Sequence, residues 1–406
     1  MLNWVSQFNI FCFLDNQQYN FTTPSFECLV AAGCKQNINV NSGNAFEKLK
    51  QFASNKQQWL FGHFGYDLKN ETEQLTSTNA DGVGFSDLHF FVPQIVLQLS
   101  NTTLTIFCDE DAQVIYEAIQ NCPTNIEVVQ PAIQIKNRIT KQEYLQAVHK
   151  LQQHIARGDC YEINFCQEFY AKDVAINPLP IYNKLSIVSP TPFSAFYRVD
   201  DKYCMCASPE RYIKKQGNKI NSQPIKGTAK RSSNVLVDEQ NKYSLLNSQK
   251  ERSENVMVVD LVRNDLSRVC KQSSVKVEEL FGIYSFPQVH QMISTVVGEV
   301  DDDVHWVDII KATFPMGSMT GAPKKRVMEL IEQYESTKRG LFSGAIGYIS
   351  PNNDFDFNVV IRSIFYNATT QYLSFTTGGA ITFYSDALQE YEECMLKAEG
   401  MMRVVG

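Results

Sequence analysis

The sequence predicts a mixed α and β fold, on three observations. Residues 140–158 carry the marks of a capped amphipathic helix. Segments such as FNVVIRSIFYN and YLSFTTGG read as strands. No glycine-rich loop joins a strand to a helix, which removes the Rossmann and P-loop classes.

Taken in order, residues 1–122 read as an N-terminal region of short strands packing on the core, punctuated by Phe and Gly in FGHFGYDL and FFVPQIVLQLS. Residues 123–139, with two prolines and few helix signals, read as a connection to a larger region, 140–406. There Thr140 and Glu143 predict a capping box. Tyr144, Val148, Leu151 and Ile155 share one helix face, and Gly158 ends it. His149 and His154 are expected to be solvated or at the boundary. A second helix is expected from near Lys242 through LLNSQKERSENVMVVDLVRNDL. A third covers DDDVHWVDIIKATF, its acidic run at the favourable N-terminus. A fourth starts at Pro323, and the last covers SDALQEYEECMLKAEGMMRV.

The 406 residues carry a net charge of −7 with no long basic block, so nucleic acid is not an expected partner. A chain of this length builds a core without covalent staples. Eleven cysteines lie singly along the chain, which suggests reduced thiols and a cytoplasmic location. The start, MLNWVSQFNIFCFLDN, has no basic residue before its apolar stretch, so no secretory leader is expected. No apolar run has the length of a bilayer span, so no membrane role is expected, and the sequon at Asn20 carries no weight.

Two helices repeat one spacing of acids. Glu251 and Glu254 lie in KERSE, and Glu390 and Glu393 in EYEE. Residues three apart share a helix face. Opposed faces would crowd four carboxylates, which is costly unless a cation sits among them. Oxygen donors alone suit a hard ion such as Mg²⁺. Lys226, in NSQPIKGTAKR, reads by itself as a solvated turn lysine.

SPERYI, PIKGTAKR, KERSENVMVVDLVRNDLSRV, GSMTGAPKKRVMELI, GAIGYIS, VIRS and EYEECMLKA occur in that order. In this the chain resembles the chorismate-utilising enzymes, densely from about Asp159 onward. Within them it resembles the component I branch of the aminodeoxychorismate synthases, with the component I branch of the anthranilate synthases as a near relative. The resemblance implies an α+β fold, a layered α/β/β/α arrangement with two large packed antiparallel sheets. It implies Mg²⁺ on the helix glutamates, Glu254 and Glu393 closest, Glu251 and Glu390 directly or through water. Lys226 stands where anthranilate synthases typically carry alanine, and Ser318 where they usually carry threonine. Gln167 is aligned with the lysine base of the water-using relatives. These three positions favour amination at C4 of chorismate, giving 4-amino-4-deoxychorismate for the para-aminobenzoate and folate pathway.

In the implied chemistry Lys226 attacks C2 and Glu210, in SPER, protonates the leaving C4 hydroxyl. Lys226 is then expected to have a depressed pKa and Glu210 a raised one. Gly227 and Thr228 would bind the ring carboxylate. Arg362 would bind the enolpyruvyl carboxylate, helped by amides of Gly378, Gly379 and Ala380. Phe342 replaces a tyrosine common in relatives, and Gln291 replaces a histidine. No glutaminase motif is present, so ammonia is expected from a separate glutamine amidotransferase subunit, component II. The segment CFLDN lacks the tryptophan-sensing LLES of anthranilate synthases, so no tryptophan feedback is expected. The alternatives are an anthranilate synthase component I and a non-catalytic chorismate-binding partner of a glutaminase.

Overall fold

Two antiparallel sheets, one of eleven strands and one of ten, face each other in a computed structural model that describes residues 1–19, 26–54, 57–123, 133–286 and 288–406. The Asn20 sequon and residues 124–132 of the connection lie outside the described residues. Helices cover the outer faces, so the layers run α/β/β/α. One apolar cluster joins Cys12, Ala195 and Cys206 of the first sheet to Phe61, Ile346 and Phe357 of the second. The other joins Phe11, Phe196 and Phe375, from the opposite face of the first sheet, to Tyr144, Leu151 and Ala398 on its helices.

The N-terminal strands are built into both sheets. Ile10–Asp15 pairs with Phe193–Val199 in the first sheet, and Leu60–Phe64 pairs with Ala345–Ile349 in the second. A buried hydroxyl also ties the sheets. His63 Nε2 lies 2.8 Å from the Ser86 carbonyl, so it carries the proton and leaves Nδ1 as acceptor. The Tyr197 hydroxyl donates to that Nδ1 at 3.0 Å and accepts from His89 Nδ1 at 2.8 Å. Burial keeps both rings neutral, with pKa values lowered to about 4 for His63 and about 3 for His89.

Helix Lys141–Ala156 has both hydrogen bonds of the predicted capping box. His154 on it is a buried residue, held between Asp159 and Tyr334 at 2.6 and 3.0 Å. The helix expected from Lys242 is two helices, Val235–Asn247 and Gln249–Ser267. Ser248 divides them: its backbone is extended, and its side chain accepts from Glu251 N to cap the second. The third helix is Trp306–Thr313, capped by His305, so the acidic run 301–303 precedes it. Pro323 is the N-cap of helix Lys324–Tyr334 rather than its first residue. The last helix is Ala387–Val405. Among the described residues no helix is long and apolar enough to cross a membrane. All eleven cysteines are free thiols.

FNVVIRSIFYN, read as one strand, is two: Phe355–Asn358 in the second sheet and Ser363–Asn367 in the first. Val359 to Arg362 carry the chain across the space between the sheets. A second crossing, at Pro209 and Glu210, joins Lys202–Ser208 to Arg211–Gln216. The crossings lie side by side, since Val359 N donates to Glu210 O at 3.0 Å and Ala207 N to Arg362 O at 3.1 Å.

Candidate active site

Lys226 and Gly227 form an irregularity in strand Ile225–Lys230. Ile225 is opposite Ile293 and Thr228 opposite Gln291, so the register shifts by one residue between them. An extra residue of this kind re-aims its side chain. Gly227 permits it with φ of +90°. A Cβ there would also come to 3.0 Å from Glu251 Oε2 and from Leu245 Cδ1, so a larger residue would push on the acid-bearing helix. The Lys226 side chain is 12% exposed and reaches across to the other sheet, where Nζ donates to Glu162 Oε1 at 3.0 Å.

Glu162 begins strand Glu162–Ala171 and is 1% exposed. Its second oxygen, Oε2, is buried with no hydrogen-bond partner among the described residues. Burial works against charge on Lys226, but Glu162, Glu254 and Glu210 outweigh it and raise its pKa. The expected depression is therefore corrected: the amine rests as a cation because carboxylates surround it.

Glu210 is buried at its crossing, and its pKa is raised to about 7 by burial. A hydrogen bond to Ser318 and the charges of Lys226 and Arg362 oppose the shift. Ser318 is placed by the short helix Gly317–Met319, whose Ser318 carbonyl accepts from Asn164 Nδ2 at 3.0 Å. Arg362 occupies the other crossing with a left-handed φ of +50°, a costly conformation for a residue with a side chain. Burial lowers its pKa, while Tyr19 and Glu210 work in the opposite direction. No hydrogen bond to its guanidinium is made among the described residues, which leaves the fork available to an anion.

Gly378, Gly379 and Ala380 lie in strand Tyr372–Ile381, paired with Cys166, Phe165 and Asn164. The neighbouring strand Ser363–Asn367 pairs no further along than Phe375. Beyond that point one edge of the glycine segment has no strand partner among the described residues, so amides on that edge are open to a ligand. A Cβ on Gly379 would lie 3.3 Å from Glu390 Oε2, which places this acid beside the same segment.

The four glutamates share one neighbourhood but not one cage. Among the described residues no three His, Cys, Asp or Glu side chains converge closely enough to hold a metal ion. Lysines balance the acids instead. Glu393 is bound to Lys397 at 2.8 Å, and Lys250 acts on Glu254, Glu390 and Glu393 alike. Burial raises Glu254 to about 7 and also raises Glu390, whereas Glu393, despite its desolvation, is lowered by Lys397 and Lys250. The donor set is all oxygen. That chemistry fits Mg²⁺, which keeps waters and takes substrate oxygens as well as one or two carboxylates.

Some predicted residues lie elsewhere. Gln167 is on the opposite face of its strand, buried against the outer helices with Nε2 3.6 Å from Cys394 Sγ. It is five residues from Glu162, and an odd offset in a strand reverses the face. Glu162 is the residue of this strand that meets the Lys226 amine, and sequence reasoning missed it. The signal was the alternation of Glu162, Asn164 and Glu168 with Ile163, Phe165 and Phe169. Phe342 is buried in the apolar core, with the Arg339 guanidinium 5.9 Å from its ring. Thr228 is exposed, opposite the buried Gln291, whose Oε1 lacks a partner among the described residues. A cavity of about 40 Å³ adjoins CFLDN, lined by Leu14, Asp15, Phe193 and Tyr348. A larger cleft of about 690 Å³ opens elsewhere, between Asn41, Asp87 and Lys202.

The family model for chorismate binding enzymes matches residues 10–403. Aminodeoxychorismate synthase component 1 of Salmonella typhimurium is 35% identical over 350 residues, 85% of this chain and 76% of that one. Its counterpart in Bacillus subtilis is 40% identical over 266 residues, 66% and 56% of the two chains. The crystal structure of anthranilate synthase component I from Streptococcus pneumoniae superposes with a TM-score of 0.82 at 26% identity, covering 95% of each chain.

Proposed function

The chain belongs to the chorismate binding enzyme family, and from that premise we propose that it is the synthase subunit that converts chorismate and ammonia to 4-amino-4-deoxychorismate. One observation carries the choice within the family: a buried lysine amine, Lys226, stands between the acid-bearing helices and an acid with a raised pKa, Glu210. The relatives named aminodeoxychorismate synthase support the same reading. Gln167 lends no support, since its side chain faces away, so Lys226 and Ser318 remain the discriminating positions.

Lys226, once neutral, attacks C2 while the C4 oxygen takes a proton from Glu210 and leaves as water. Ammonia then adds at C4 and the C2–N bond breaks, returning the amine of Lys226. The new ammonium group returns a proton to Glu210. Arg362 holds the enolpyruvyl carboxylate in two-pronged fashion, and open amides of the Gly378–Ala380 segment assist. Gly227 and Thr228 sit at the ring-carboxylate end. Glu254 and Glu393, with Glu251 and Glu390 directly or through water, would hold Mg²⁺, whose positive charge would anchor the ring carboxylate. A glutamine amidotransferase subunit supplies ammonia, and the free thiols suit the reducing cytoplasm.

The test is incubation with chorismate, Mg²⁺ and an ammonium salt, followed by mass analysis. Aminodeoxychorismate without pyruvate is expected. Pyruvate release would indicate an anthranilate synthase. No turnover, with stimulation of an added glutaminase, would indicate a non-catalytic partner.

A further inference from the structure

Lys226 must lose a proton before it can attack, yet its surroundings hold that proton on. The charged groups that face its amine are few. Glu162 comes from the first sheet, Glu254 from helix Gln249–Ser267, and Glu210 from the neighbouring crossing. Glu393, on helix Ala387–Val405, also feels the lysine, and Lys250 acts on both helix acids. Among the described residues only Glu162 lies within ion-pair distance of Nζ, at 3.0 Å. It is buried from bulk water, and its Oε2 has no partner among the described residues. A buried carboxylate with half its acceptor capacity unused lacks what a purely structural ion pair normally has.

We propose that Glu162 is the positioning and proton-accepting partner of Lys226, a carboxylate that orients the amine and takes its proton as the amine attacks. The inference rests on the amination reading above. The step balances: the ammonium N–H bond breaks, its proton forms an O–H bond on Glu162, and the freed lone pair of Nζ forms the bond to C2. When ammonia displaces the lysine, the amine leaves neutral and recovers its proton from Glu162. Glu210 completes a separate exchange with the leaving oxygen and the incoming ammonia, so each acid serves one nitrogen or oxygen.

The test compares the wild type with Glu162→Gln, which keeps the size, and Glu162→Asp, which keeps the charge. Cyanate labelling of Lys226, mapped by peptide mass across a pH series without chorismate or Mg²⁺, reads the proton on the amine. In Glu162→Gln the labelling midpoint should move to lower pH, because the nearest anion is gone. Amination should nonetheless fall by roughly 100-fold at neutral pH, the low end of what a positioned proton acceptor contributes. The ratio of its rate to that of the wild type should climb with pH, and Glu162→Asp should restore part of the lost rate. A midpoint that stays put overturns the pairing. A shifted midpoint with amination as fast as the wild type overturns the proton transfer and leaves Glu162 a mere counter-charge. A wild type that makes no aminodeoxychorismate would instead sink the amination reading, while labelling, which needs no turnover, would still report on the pair.

Discussion

Strand Glu162–Ala171 takes part in two buried ion-paired assemblies a few residues apart, and they are finished to different degrees. In one, Arg339 donates to both Glu335 oxygens at 2.6 and 2.9 Å, to Met319 O at 2.7 Å and to Asn164 O at 2.8 Å. Cys166 N donates to Glu335 Oε1 at 2.9 Å, and the Tyr66 ring lies 4.8 Å from the guanidinium. That assembly stitches the strand to the short helix that carries Ser318. In the other, Lys226 and Glu162 share one hydrogen bond, and a carboxylate oxygen is left over. Burying charge costs several kcal/mol unless hydrogen bonds make it good. The first pair meets that condition and fixes geometry. The second meets it in part and holds capacity for a ligand or a proton.

The contrast breaks if the two pairs respond alike to removal. Lys226→Ala should lower amination by roughly 10³-fold or more, the scale of losing a reacting group, with a smaller effect on the urea midpoint. Arg339→Ala should cost about 3–5 kcal/mol in urea unfolding, because it strands a buried carboxylate. Equal stability losses for the two would remove the distinction between a structural pair and a reactive one.

Acidity sharpens the same comparison. Glu210 is an acid held protonated up to about 7 against an ordinary 4.5. Its protonated form donates, so kcat should fall as pH rises through about 7, and Glu210→Gln should abolish that limb. Glu254 is raised to about 7 as well. Both folded-state values lie above their ordinary ones, so the folded state binds more protons than the unfolded one. Urea stability without Mg²⁺ should therefore decline between pH 4.5 and about 7. A flat profile would show both acids to be ionised throughout. The smallest effect lies farthest from the site: Thr140→Ala should cost about 1 kcal/mol in thermal unfolding by removing the capping box, with no change in rate.

Much of the site was legible beforehand for a local reason. The acid pairs, the capping box and Glu210 are marked by neighbours within a few residues. Gln167 turns to the opposite face; a motif fixes position to within a few residues, while a strand changes face at every one. The single strand expected over FNVVIRSIFYN was wrong for a related reason. An apolar run cannot reveal that its middle crosses between two sheets, since both ends are buried.

The ordered motifs in the amino-acid sequence determined the family, and through that resemblance implied the layered fold class and the residue types expected to carry the chemistry; periodicity and capping marked the helices. All of these are short-range properties. Tertiary structure alone decided that Glu162 meets Lys226, that Glu210 and Arg362 sit on adjacent crossings, and that the resting amine is charged. Each depends on partners that pairing and packing bring together from tens to more than a hundred residues apart, and a proton's affinity is set by the charges within a few ångströms rather than by the residues next to it in the chain.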